Sequence, residues 1–347
     1  MNVPSHQSLS TRLETLLRGM PKTELHIHIE GSLEPELIFA LAKRNRVTLP
    51  FANVESVKAA YDFKDLQSFL DIYYAGASVL LEEEDFFDMT LAYLKRAHSE
   101  GVVYAEIFFD PQTHTHRGVA ISTVIEGIDR ACQHAKNTLG IESALILCFL
   151  RHLDEADALR TLQEALPFLD RLIGVGLDSS ELGHPPEKFE RVFSKARSLG
   201  LKAVAHAGEE GPASYIWGAL NVLGAERIDH GVQCVQDDQL LVQLKNTRVP
   251  LTVCPLSNVK LCVYDNLSKH PIKKLLDMGL CVMVNSDDPA YFGGYINDNY
   301  IELFKALEMN EDDALALAAC SIEAAFVPQS KKDQWLKQLH AFHQSLN

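Results

Sequence analysis

Eight short apolar runs of β type recur along this chain with helical patterns between them, and that alternation limits the fold more than any other feature. The runs occupy 23–29, 102–109, 144–150, 172–177, 201–205, 227–229, 250–253 and 280–285. Strands that alternate with helices build a parallel sheet, because each return crossing needs a helix. Eight such units close into a (β/α)8 TIM barrel, an α/β fold. The sixth run is short and polar, and its place in the order supports it. Helical periodicity fills 122–137, 155–169 and 188–199, ahead of the third, fourth and fifth runs.

The longest gap lies between the first and second runs, about 33–98, and holds at least two helical stretches, 35–44 and 66–98. A βα connection usually takes about 2–6 residues. A helical insertion there predicts a lid or pocket wall at the C-terminal face of the barrel. A cap without function is the other reading. There is no linker rich in Pro and Gly and no internal repeat, so 1–347 reads as a single barrel domain.

The same alternation sorts the polar residues, since barrels of this kind gather reactive groups at the C-terminal strand ends. His26 and His28 close the first run, and His206 and Glu209 follow the fifth. His230 ends the sixth, and Asp287 and Asp288 follow the eighth. The i, i+2 spacing of His26 and His28 turns both rings toward the barrel axis. Taken alone, such a pair is as often two satisfied histidines as a metal pair. With His206 and Asp287 added, three imidazoles and a carboxylate can fill a zinc shell and leave room for water. Glu209, His230 and Asp288 remain for proton handling, which completes the parts of a metal-assisted hydrolase.

Bland readings stand beside these. Asp287 and Asp288 repel each other unless a cation shares them, but Pro289 also favours a turn or a helix cap. Glu209 can act near the metal without binding it, or serve as a carboxylate at a helix N-terminus. Glu210 reads as a solvated surface charge. Gly31, Gly208 and Gly211 permit tight turns near a ligand.

Composition enters by exclusion. A net charge of -15 argues against nucleic acid, whose phosphates need a basic surface. Seven cysteines, an odd number without CxxC spacing, read as buried thiols of a reducing compartment. No apolar run reaches the roughly 18 residues of a membrane span, so a cytoplasmic protein with no membrane partner is expected. The end of the fourth run, 176–181, has no lysine to bridge two metals, which favours one ion per chain. The signature of the cytidine-type deaminases, H-x-E together with P-C-x-x-C, is not met because no P-C-x-x-C occurs, so any such chemistry here must use the barrel.

Five segments carry a resemblance: TELHIHIEGSLEPE from Thr23, HAGEEG from His206, RIDHG from Arg227, CPLSN from Cys254 and NSDDP from Asn285. In this order they resemble the adenosine/adenine deaminase family, a (β/α)8 branch of the amidohydrolases, from Pro21 to about Phe326. FFDPQTHTHRG, FLRHL, GLDSSELGHPP, CPLSNVKLCV and SDDPAYFGGY look like its adenine-acting subgroup in bacteria and fungi. Nucleoside-acting members usually carry HLD where this chain has His28-Ile29-Glu30. They usually carry a Gly-rich run where it has Asp178-Ser179-Ser180-Glu181.

The resemblance implies roles. His26, His28, His206 and Asp287 would bind one Zn2+ per chain. Glu209 would protonate purine N1, and His230 with Asp287 would orient water and move protons. Asp288 would hold the ring through N7. Glu30 would accept the N–H that a free base has and a nucleoside lacks, or merely support the zinc histidines, and Ser179 would also meet the substrate. A small purine base, adenine going to hypoxanthine and ammonia in purine salvage, is the expected substrate. Adenosine deaminase is the first alternative, another metal-dependent hydrolase the second, and a binding protein that lost catalysis the third.

Overall fold

The computed structural model describes residues 9–346, so the two ends of the expected domain, 1–8 and 347, lie outside it. Eight strands follow in chain order: β1 Lys22–His28, β2 Val102–Phe109, β3 Glu142–Leu150, β4 Leu172–Asp178, β5 Lys202–Ala207, β6 Arg227–His230, β7 Leu251–Val253 and β8 Val282–Val284. Each pairs with the next in parallel. The ring closes just past β8. Asp287 N–H donates to His26 O at 3.1 Å, and His28 N–H donates to Asp287 O at 3.0 Å. The side chain of Asn285 takes Leu25 N–H at 2.8 Å. The expected TIM barrel is therefore present, and residues of its mouth make its closing contact.

Strand ends differ from the sequence expectation where side chains decide. β5 and β6 run on through His206 and His230, because those residues still pair, His206 with Asp229 and Ala207 with His230. β8 stops short of the apolar run, since Asp287 turns into the left-handed region at φ 66°. The stretch 66–98 is two helices, Leu66–Ala77 and Glu83–Ser99. Asp85 breaks it by accepting Leu81 N–H at 2.9 Å and Glu82 N–H at 2.8 Å, which starts the second helix.

The strands are buried on both faces, as in any parallel sheet covered by helices. Leu145, Leu147 and Phe149 of β3 join the large core beneath the helices. The intervening Ile146 and Cys148 meet Phe108 of β2 and Val204 of β5 in the barrel lumen. A fully buried ion pair ties strands together: Arg227 donates to Glu106 at 2.6 Å and to Leu25 O at 3.1 Å. Over the mouth, Leu66, Phe69, Leu70 and Tyr73 of the insertion pack with Leu261, Tyr291 and Phe292. The insertion is thus seated as a roof. Among the described residues, no helix is long and apolar enough to cross a membrane.

Candidate metal centre and active site

Phe108 forms the dry floor of the site. Its ring centroid lies 5.1 Å from that of His26, 5.2 Å from His28 and 5.8 Å from His206. The outward nitrogen of each of the three histidines faces an oxygen, at hydrogen-bond distance for His26 and at a longer approach to a carboxylate for the other two. His26 Nδ1 lies 2.9 Å from Thr252 Oγ1, His28 Nδ1 3.5 Å from Asp178 Oδ2, and His206 Nδ1 3.5 Å from Asp229 Oδ2. The inward nitrogens converge instead. His28 Nε2 and His206 Nε2 are 3.1 Å apart, and Asp287 Oδ1 is 3.1 Å from His26 Nε2 and 3.5 Å from His28 Nε2. Buried His26 Nε2 has no hydrogen-bond partner. One ligand atom from each of His26, His28, His206 and Asp287 lies within 4.8 Å of the others. Imidazoles oriented by outer oxygens, with bare nitrogens facing inward beside a carboxylate, fit a divalent cation.

Electrostatics prepare the same set. Burial drives the His28 and His230 imidazoles well below their usual range, so both are neutral. Burial pushes the Asp287 carboxyl up, but His26 and the other rings outweigh it and hold it well below the usual range. Glu209 and Asp288 go the other way: burial first, then the charge of Asp287, raises both far above ordinary carboxyls. Both carboxyls are thus biased toward the protonated form.

His230 faces this cluster, with Nε2 3.5 Å from Glu209 Oε1 and 3.7 Å from Asp287 Oδ2. The Asn258 amide meets His230 Nδ1 at 3.2 Å, and His270 meets Asn258 Oδ1 at 3.2 Å. With Nδ1 accepting from the amide, the ring carries its proton on Nε2. His230, Asp287 and Ser179 share a feature, positive φ of 61°, 66° and 73° without being glycine. Arg46, Arg248 and Glu308 also have positive φ, but they are helix C-caps, and Cys262, at φ 62°, lies in the turn after the helix Pro255–Lys260. Strain at three strand ends around one cavity marks a functional site.

That cavity has His28, His206, Glu209, His230, Asp287 and Asp288 at its base. Asp110, Asp178 and Ser179 form one wall, and Leu66, Phe69, Leu70, Tyr73 and Tyr74 form the roof. Aromatic and aliphatic walls with a few convergent polar groups suit a flat heterocycle. Asp288 Oδ1 is buried and unpartnered. Gly31 makes its position possible, since a Cβ there would stand 1.9 Å from Asp288 Oδ1. Ser179 Oγ lies 3.1 Å from Tyr74 OH and 2.8 Å from His152 Nδ1.

Glu30 is placed differently from the rest. It lies behind the wall, accepting from His114 Nε2 at 2.8 Å and from Asp110 N–H at 3.2 Å. Glu210 is half-buried rather than fully solvated, and takes Leu66 N–H at 3.4 Å because the roof helix starts above it. The site also uses five residues that sequence reasoning left without a role: Asp110, Asp178, Asp229, Thr252 and Asn258. Asp110 and Asp178 stand at the ends of β2 and β4, so the strand-end rule that found His230 applies to them equally.

Hydrolysis by water activated at a histidine–carboxylate cluster in a barrel mouth is the chemistry of the amidohydrolase superfamily. Within it, the chain belongs to the adenosine deaminase family, whose model matches residues 21–342. It is 63% identical over 333 residues to adenine deaminase of Trichlorobacter lovleyi, covering 96% of this chain and 95% of that protein. Identity to adenine deaminase of Hahella chejuensis is 58% over 333 residues, covering 96% and 100%. The crystal structure of adenine deaminase from Arthrobacter aurescens superposes with a TM-score of 0.93 at 50% identity, covering 94% of this chain and 100% of that one. The family and fold expected from the five motifs are borne out.

Proposed function

We propose that this protein is an adenine deaminase, a hydrolase that converts adenine and water to hypoxanthine and ammonia. The observation that carries this reading is the likeness to adenine deaminases across 96% of the chain. His26, His28, His206 and Asp287 would hold one divalent ion, which we take to be zinc. When bound, it lowers the pKa of a water toward neutrality and so supplies the nucleophile.

The protein's own groups do the rest. Glu209, kept protonated, gives its proton to N1 as water adds at C6, which removes the aromatic resistance to attack. Asp287 takes the proton released by the water and passes it to the amine, which leaves as ammonia. His230 donates from Nε2 toward the attacking oxygen, orienting it and stabilising the charge that develops there. Collapse of the tetrahedral centre expels ammonia and forms the C6 carbonyl, and the proton of the C6 hydroxyl goes to Glu209. Asp288 donates to N7, and the aromatic roof keeps bulk water out.

The free base also carries an N–H at N9. Asp110 and Ser179, on the wall, receive that edge, while Glu30 and His114 brace Asp110 from behind. Seven free cysteines, six of them buried, support a reducing, cytoplasmic setting. The test is product analysis with metal-loaded protein. Equal amounts of hypoxanthine and ammonia from adenine are expected. Adenine left unchanged by fully metallated protein overturns the reading.

A further inference from the structure

The sequence singled out Asp178-Ser179-Ser180-Glu181 as a departure from the nucleoside enzymes, and the mechanism above makes no use of Glu181. Its carboxylate is 1% exposed and sits among backbone donors. Oε1 accepts Gly208 N–H at 2.6 Å. Oε2 accepts Glu209 N–H at 3.0 Å, Glu210 N–H at 2.9 Å and Gly211 N–H at 2.7 Å. Four successive residues thus give their single backbone donor to one side chain.

Those residues lie between the end of β5 and the helix Ala213–Gly218, where neither ladder nor helix claims their N–H groups. The loop is shaped around the carboxylate. Gly208 takes φ +69°, and a Cβ at Gly211 would stand 2.6 Å from the Glu181 carboxyl carbon. The other side of the loop is held as well. Gln233 N–H donates to Gly208 O at 2.9 Å, and Gln233 Nε2 donates to Glu209 O at 3.1 Å. Arg151, fully buried, donates to His206 O at 2.6 Å and to His184 O at 2.9 Å. Both peptide groups of Glu209 are therefore fixed, and its side chain leaves the loop in one direction. Its Oε1 ends unpartnered in the cavity, 3.5 Å from His230 Nε2.

We propose that Glu181 is the positioning residue for Glu209: by collecting four successive backbone N–H groups, it sets the direction from which Glu209 addresses N1. The inference rests on the deaminase reading. Only an acceptor-only group with two oxygens can serve four donors. An amide offers one oxygen and turns its own N–H groups against the loop. A proton donor displaced by about 1 Å can lose about 10²-fold in rate. Substrate binding draws on the roof, Asp288 and the wall of Asp110 and Ser179 rather than on the direction of Glu209, so the loss falls on kcat rather than KM.

The experiment compares Glu181→Gln and Glu181→Asp, each alone and combined with Glu209→Gln, by metal-normalised kcat and KM for adenine. Glu181→Gln is expected to lower kcat about 10²-fold with KM nearly unchanged. Glu181→Asp, which keeps both oxygens, recovers part of the loss. In the Glu209→Gln background neither change costs much further, because both act on one step. Equal losses in both backgrounds, or unchanged kcat in both single variants, overturn the proposal. Hydrogen exchange at the amides of 208–211 separates this from failure of the deaminase reading. These amides are slow in the wild type and fast in Glu181→Gln whatever the substrate. Fast exchange in the wild type also overturns the proposal.

Discussion

Nε2 of His28 and Nε2 of His206 stand 3.1 Å apart across the barrel mouth, one on β1 and the other on β5. At that distance either one ring donates an N–H to the other's lone pair, or a cation lies between two lone pairs. Burial pushes the His206 imidazole down, but the nearby carboxylates of Asp229, Asp178 and Asp287 together outweigh this and raise it, whereas His28 stays far below the usual range. A proton on His206 or a divalent ion can fill the gap, and the two compete. The protein is expected to carry one divalent ion per chain and to surrender it to a chelator more readily at pH ~6 than at pH ~8. Elemental analysis after dialysis at each pH checks this. Active protein without metal contradicts it.

Glu209→Gln keeps the shape and removes the proton. Turnover should fall by about 10²–10⁴-fold with metal content unchanged. Near-normal turnover at full metal occupancy removes Glu209 from its role.

His270 supports His230 through Asn258, and burial lowers its pKa to about 3. A depressed histidine is neutral when folded, while the unfolded chain takes a proton near pH ~6.5. Its contribution to stability is thus present above that pH and is lost as pH falls toward about 3. At pH ~5 the loss is about 2 kcal/mol. His270→Gln, which does not titrate, should show a shallower fall in stability between pH ~7 and ~5. Urea denaturation of both proteins at both pH values decides it, and parallel slopes contradict the account.

The Arg227–Glu106 pair makes a separate prediction about the fold. Both side chains are fully buried, and Glu106 also accepts Phe326 N–H at 2.6 Å. Glu106→Gln leaves buried Arg227 with only the more distant carboxylate of Asp229, 3.9 Å away, and should cost about 3 kcal/mol. A denaturation midpoint close to wild type contradicts it.

The barrel was legible because its signal is periodic. β2 was delimited to the residue, and short β6 could be placed to within one residue from order and spacing. The metal set was legible because His26, His28, His206 and Asp287 are unusual residues at strand ends. The break at Asp85 was not, because an apolar pattern continues through Val79 and Leu80 while one side chain captures two backbone donors. Glu30 shows the same limit. Its position in the motif suggested the substrate, but its partners His114 and Asp110 come from the next strand end, a contact that sequence order does not reveal. Glu181 was visible only as a departure, since its four partners lie 27 to 30 positions away.

The central claim is that this cavity is built for a free base. It is tested most directly by kcat/KM of the metal-loaded protein for adenine and for adenosine, measured side by side. The account predicts a strong preference for adenine. A ribose at N9 meets the wall of Asp110 and Ser179 and leaves a buried acceptor without its N–H, a cost of about 1–3 kcal/mol before any steric clash. Equal or better turnover of adenosine would contradict it.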